Sequence, residues 1–182
     1  MELKRTFVLA ALLCGAAAGA RAQDMPPMPK PGPEHDVLKK AVGTWDATVE
    51  MLMPPAPPSK GTETTALGPG GLWLVTDFKT AEMMGSPFQG HGVEGWDPAK
   101  KKYVGTWVDS MSTAIALSES TYDAASKSMN GTMSVTGPDG QPMKLKTVTQ
   151  YKDDDTRVFT MYMPGPDGKE AASMRITYKR RK

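Results

Sequence analysis

From Trp45 onward the chain alternates. Trp45, Ala47, Val49 and Met51 are apolar where Thr44, Asp46, Thr48 and Glu50 are polar, the period-two pattern of a strand with one buried face. Runs of the same kind follow at residues 62–67, 71–80, 88–96, 103–111, 113–122, 128–136, 143–151, 157–163 and 171–179. Turn formers separate them: Gly68-Pro69-Gly70-Gly71, Asp97-Pro98, Asp123-Ala124-Ala125, Gly137-Pro138-Asp139-Gly140, Asp153-Asp154-Asp155 and Gly165-Pro166-Asp167-Gly168. Just upstream the period is 3.6. Val37, Leu38, Ala41 and Val42 share a helical face, Pro33 fits a first helical position, and Glu34, Asp36, Lys39 and Lys40 complement the helix dipole. The pattern predicts a short helix over residues 33–42 stopped by a left-handed cap at Gly43. About ten short strands in hairpin succession then predict an all-β fold. An up-and-down antiparallel barrel leaves no sheet edge open, and a β-sandwich is the alternative.

One seven-residue word nearly recurs, as Lys39-Lys40-Ala41-Val42-Gly43-Thr44-Trp45 and as Lys101-Lys102-Tyr103-Val104-Gly105-Thr106-Trp107. The first copy straddles a helix end and the second lies inside a strand. Their flanks do not match, so this is not a duplication. Gly90, Gly92 and Gly95 crowd into one strand, where glycine is unfavourable unless something needs its space. Across the Asp97-Pro98 hairpin, pairing Trp96 with Tyr103 sets Glu94 opposite Gly105, Gly92 opposite Trp107 and Gly90 opposite Asp109. Bulk then meets glycine, and a large ring can lie over the neighbouring strand. Alternation sends Asp109 to the same side as Trp107. An acid turned into a barrel costs several kcal/mol unless it is paired or wetted. Asp109 therefore has either a structural partner, such as Arg175 or Tyr178, or a role as polar anchor in a ligand cavity.

The ends of the chain alter the reading of composition. Lys4 and Arg5 precede an apolar run over residues 6–20, and Ala20-Arg21-Ala22 has the small-x-small form that signal peptidase cuts after. Residues 1–22 are thus expected to be a signal peptide, with a proline-rich lead-in over residues 23–32 and one domain over residues 33–182. Leu13 before Cys14, and the apolar residues after it, argue against a lipid attachment site. Cys14 is the only cysteine, so the mature chain has neither disulfide nor thiol chemistry. Of 22 Lys and Arg, three lie in the leader, and of 20 Asp and Glu, one does; 19 of each remain. A balanced charge excludes a nucleic-acid surface, and the terminal Lys179-Arg180-Arg181-Lys182 reads as a solvated end. No second apolar run approaches membrane-spanning length, so membrane insertion is not expected. The expected product is soluble and periplasmic or secreted.

A helix ending in Gly-x-Trp at the first strand of a closed antiparallel barrel resembles the calycin pattern of lipocalins, fatty-acid-binding proteins and nitrobindins. A closer resemblance is to the DUF1579 family of bacterial proteins. It rests on Pro33-Glu34-His35 with Leu38 leading to Gly43-Thr44-Trp45, and on Pro87-Phe88-Gln89-Gly90 through Gly92, Gly95, Trp96 and Asp97. It continues over the Lys101–Trp107 word extended by Val108-Asp109-Ser110-Met111, then Thr121-Tyr122-Asp123, Pro166-Asp167-Gly168-Lys169-Glu170 and Ile176-Thr177-Tyr178. Trp96 stands where the family pattern implies tyrosine, and Met53-Pro54-Pro55-Ala56-Pro57-Pro58 lengthens the first hairpin. Nitrobindins hold haem through a histidine near the C-terminus; Met174-Arg175-Ile176-Thr177-Tyr178 has none, so haem binding is not carried over. The resemblance implies a barrel but no reaction.

Catalytic signatures are absent: no Gly-x-Ser-x-Gly, no phosphate loop, no His-Glu-x-x-His. With only His35 and His91 available, no metal site and no cofactor are expected. His35 in a helix first turn reads as a packing or surface residue, and His91 between two glycines reads as an outward polar position or a ligand contact. Asp153-Asp154-Asp155 reads as a solvated turn. Met129, Met133, Met161, Met163 and Met174 fall on strands at even spacings, which fits either core filling or an adaptable apolar lining. The leading expectation is a barrel binding a small, largely apolar molecule, with Trp107, Asp109, Glu94, His91, Trp96 and Met161 as ligand contacts. The alternatives are a barrel enzyme using buried Asp109 or Glu94 as acid or base, and a structural or stress-related protein with a solid core.

Overall fold

Each strand pairs antiparallel with its sequence neighbours, and the last returns to the first. The computed structural model describes residues 28–137, 139–165 and 168–182. It contains α1 (Pro33–Lys39), β1 (Gly43–Met51), β2 (Ser59–Leu67), β3 (Trp73–Met83), β4 (Ser86–Asp97) and β5 (Lys102–Asp109). Then follow β6 (Ala116–Asp123), β7 (Ser128–Thr136), β8 (Pro142–Asp153), β9 (Thr156–Pro164) and β10 (Glu170–Arg180). The sheet closes where β1 pairs β10, from Trp45 opposite Arg180 to Met51 opposite Met174. The up-and-down barrel is therefore the fold, and the sandwich is excluded. The expected leader over residues 1–22, with Cys14, and the start of the lead-in lie outside the described residues; residues 28–32 carry no regular secondary structure.

Local chemistry moves several boundaries. The helix stops at Lys39, not Val42. Beyond it the N–H groups of Lys40, Ala41 and Val42 reach back three residues, to the carbonyls of Val37, Leu38 and Lys39. Gly43 is not a left-handed helix cap but the first residue of β1, at φ +132°, a conformation side chains rarely adopt. A Cβ there would also stand 2.6 Å from Arg180 Nη1. Strand β3 starts at Trp73 because Pro69–Gly71 forms a 3-10 turn. Strand β5 ends at Asp109, whose Oδ1 accepts the Met111 N–H at 2.8 Å and turns the chain.

The helix covers one end of the barrel. Leu38 and Ala41 pack there with Leu74, Tyr103 and Met129, and Trp96, Tyr122 and Tyr151 surround them. Trp45, only 1% exposed, donates from Nε1 to the Ala41 carbonyl at 2.9 Å and so ties the helix end to the first strand. Above this plug, Trp45, Ala47, Val49, Phe78, Phe88, Ile176 and Tyr178 form the main core. Among the described residues no helix is long and apolar enough to cross a membrane.

Candidate functional site

The inner faces of the ten strands define one lumen, closed below by the helix. Its register follows the expected hairpin: Trp96 faces Tyr103, Glu94 faces Gly105, Gly92 faces Trp107 and Gly90 faces Asp109. The Trp107 ring lies flat across β4. A Cβ at Gly90 would overlap the ring, and one at Gly92 would meet Trp107 Cε3 at 3.0 Å. The two glycines are the space the indole occupies.

Asp109 is held by its own strand. Its Oδ2 accepts the Trp107 Nε1–H at 3.0 Å and its Oδ1 caps the following turn. The partners expected from sequence are not used: Arg175 stands 3.9 Å from Glu50, and Tyr178 hydrogen-bonds Glu63. Asp109 therefore orients Trp107 rather than closing a cross-barrel ion pair.

The polar centre of the lumen is a pair that sequence reasoning missed. Glu63 on β2 and Arg157 on β9 form an ion pair with side chains 7% and 10% exposed. Thr65 Oγ1 donates to Glu63 Oε1 at 3.1 Å, and lies 3.0 Å from Thr76 Oγ1. The guanidinium lies between rings, 4.2 Å from the centre of Tyr178 and 4.7 Å from that of Trp45. Its Nε–H is buried without an acceptor. Burial opposes the Arg157 charge, but Glu63, Tyr178 and Tyr151 outweigh it and raise its pKa. Burial, reinforced by the Glu63 carboxylate, pushes the Tyr178 phenol well above its ordinary value. Arg157 was legible as inward, since it shares the Phe159 and Met161 face of β9. Glu63 was not, because Lys60, Thr62 and Thr64 leave its strand polar on both faces.

Glu94 is the second acid near that one cation. Burial lifts its carboxyl from 4.5 to about 7, with Arg157 pulling the other way. It leans over Gly105, where an added Cβ would stand 3.4 Å from Glu94 Cβ and 2.9 Å from Ser118 Oγ. The carboxyl is deep in the protein, yet the residue is only half-buried.

The remaining expected residues separate. Met161 faces the lumen on β9, half-buried, opposite Thr147 and Met174. Trp96 packs edge-on to Tyr103, with ring centres 5.0 Å apart, and lines a surface groove beside Pro33, Glu34 and Val37. It belongs to the plug. His91 is on the outer wall, its Nδ1 2.9 Å from Asp77 Oδ1, so the lumen set loses it as a ligand contact. His35 Nδ1 accepts the Gly32 N–H at 2.9 Å, a helix-start contact. Asp153 Oδ1 accepts the Asp155 N–H at 2.9 Å, as a hairpin turn requires. Among the described residues no three His, Asp or Glu side chains gather as a metal site.

The two ends and walls differ in filling. Inward Trp45, Ala47, Val49, Phe78 and Ile176 are buried. Inward Met133 on β7, Thr147 and Thr149 on β8, and Phe159, Met161 and Met163 on β9 are only half-buried. The end away from the helix is rich in methionine, with Met51, Met133, Met143, Met161, Met163 and Met174 on inner positions.

Residues 30–180 match the model of the DUF1579 family, described as protein of unknown function. Rv2717c from M. tuberculosis has a crystal structure similar to this chain. The TM-score is 0.60 and the identity 15%, over 83% of this chain and 99% of that one. At that identity the likeness concerns the barrel alone. A de novo designed fluorescence-activating β-barrel aligns at TM-score 0.45 and 15% identity, over 80% of this chain and 98% of the design. No curated protein matches.

Proposed function

Because this chain belongs to the DUF1579 family, described as of unknown function, we propose its role from the lumen: it binds a small, largely apolar molecule there. The observation that carries this reading is that Met133, Thr147, Thr149, Phe159, Met161 and Met163 on the inner face of β7, β8 and β9 are only half-buried, while Met129, Leu145 and Arg157 on the same face are buried. Eight strands enclose a space that side chains just fill; ten enclose more. Met133, Phe159, Met161 and Met163 offer an apolar, deformable wall, and Glu94 offers one polar anchor whose carboxyl keeps its proton up to about pH 7. A neutral carboxyl both donates and accepts, so it suits a hydroxyl, carbonyl or amide at one end of an apolar ligand. We also assign the chain to the periplasm or the exterior, after cleavage before Gln23; an intact mass retaining Met1 contradicts that.

Native mass spectrometry of protein purified from its own host tests the binding role. A reproducible small-molecule adduct, lost on organic extraction, is the expected result. A chain that is bare in every preparation supports a structural protein with a solid core. The raised pKa of Glu94 also favours a second reading, a barrel enzyme with Glu94 as acid or base. Asp109 fits that role less well, because both its oxygens are already engaged. Turnover of the bound molecule that is abolished in Glu94→Gln, with binding retained, selects the enzyme.

A further inference from the structure

Three neighbouring strands place a methionine on the same rung of the inner face. Met51 on β1 is directly opposite Met174 on β10, and Met174 is directly opposite Met161 on β9. All three are half-buried rather than sealed in the core. Directly opposed Cβ atoms stand about 4.5–5.5 Å apart. Methionine has three rotatable bonds beyond Cα, so three thioethers at that spacing can swing onto one point between them.

The rung exists because β10 is irregular. Glu170, Ala171 and Ala172 pair with Pro164, Met163 and Tyr162, then the register shifts and Met174 rather than Ser173 meets Met161. Bulges re-aim side chains and recur beside sites. This one is locked. Ser173 is buried, its Oγ donates to the Met161 carbonyl at 3.2 Å, and its own carbonyl accepts the Leu52 and Met53 N–H groups at 2.8 and 3.1 Å. The backbone of the rung is therefore preorganised while the side chains stay adaptable.

The chemistry around it selects the guest. Thioether sulfur is a soft, neutral donor that prefers monovalent copper over hard cations. The charged neighbours on the same strands, Glu50 and Arg175, occupy the alternate positions and stand 3.9 Å from each other. No carboxylate therefore shares the rung to attract calcium, magnesium or zinc. We propose that Met51, Met174 and Met161 form a three-thioether site for a soft monovalent metal ion, Cu(I) or Ag(I), at the end of the barrel away from the helix. Met161 also belongs to the proposed apolar wall, but Met51 and Met174 do not, so metal uptake tests this site separately from that reading.

Silver(I) in chloride-free buffer is the redox-silent probe, with Cu(I) measured by competition against a chromogenic chelator. The wild-type chain is expected to take up one Ag(I), and Met51→Leu, Met161→Leu and Met174→Leu each to weaken binding tenfold or more. Met84→Leu, on an exposed turn, is expected to bind as wild type. Leucine replaces methionine at similar volume, so melting temperatures should stay close. If a variant fails to fold, methionine methyl resonances of the wild-type chain decide: the three rung methyls must shift on adding Ag(I) while Met129 does not. Uptake unchanged in all three variants, no uptake at all, or shifts spread evenly over every methionine overturns the site.

Discussion

Trp45, Ala47 and Val49 on β1 and Met133, Phe159 and Met161 on β7 and β9 point into one lumen, yet the first three are sealed and the second three are not. Closing a sheet and filling a barrel are separate problems. Hydrogen bonding closes the sheet all the way round. Filling depends on side-chain volume against strand number. On the sealed arc, Trp45 and Phe78 supply bulk, and the Trp107 ring fits over Gly90 and Gly92. On the other arc, Thr147 and Thr149 are short and the methionines are unbranched. Stability should therefore concentrate in the first arc and adaptability in the second.

The largest effect that can break this contrast comes from the two tryptophans that end the repeated words. Trp45→Ala should cost roughly 3–5 kcal/mol, the penalty for deleting a buried aromatic, and it also loses the bond to the Ala41 carbonyl. Trp107 is only partly buried against the same core, so Trp107→Ala should cost less and change ligand-induced fluorescence more. Equal losses in urea denaturation, or a larger one at Trp107, would make the second tryptophan core and misplace the lumen.

Of similar size is the buried ion pair. Arg157→Met strands Glu63 among Tyr178, Thr65 and Trp45 and should destabilise by about 3–5 kcal/mol. Adding Glu63→Leu should recover much of that loss, because two apolar groups leave no buried charge. A double variant as unstable as the single one would mean that the ring contacts of Arg157, rather than its charge, hold the site.

A smaller effect sharpens the comparison through pH. Folded Glu94 titrates at about 7 against 4.5 for an ordinary carboxyl. The folded chain thus keeps a proton that the unfolded chain releases, and the stabilisation is complete below about pH 4.5 and lost as pH rises to about 7. Glu94→Gln should remove a decline of about 2–3 kcal/mol across that window, at about 1.4 kcal/mol per pH unit. Melting curves at pH 4.5 and pH 7.5 measure it. An undiminished decline in the variant would move the titrating group elsewhere.

What could be read from sequence was local. The β4–β5 register was legible because a short hairpin joins the strands and Gly92 falls opposite the Trp107 ring. The strand count followed from alternation and turn chemistry. The misread helix end turned on a distant residue: Arg180 reaches Gly43 from the last strand and donates from Nη1 to the Val42 carbonyl at 2.6 Å. The Glu63–Arg157 pair joins residues 94 apart, and nothing along the chain marks them as partners. His91 has the inward parity of neither Gly90 nor Gly92, so alternation already argued for the outer wall, where Asp77 meets it. The asymmetry in filling was invisible, because methionine and threonine fit a packed core and an open lining alike.

Methionine oxidation measures that asymmetry most directly. The folded protein is exposed to dilute hydrogen peroxide, and sulfoxide is read peptide by peptide by mass spectrometry. Met84, 60% exposed on a turn, and Met83, 7% exposed in the core, calibrate the two extremes. If the second arc lines accessible space, Met133, Met161 and Met163 oxidise at rates nearer to Met84 than to Met83. If those three are protected as Met83 is, the barrel is filled all round and the lumen does not exist.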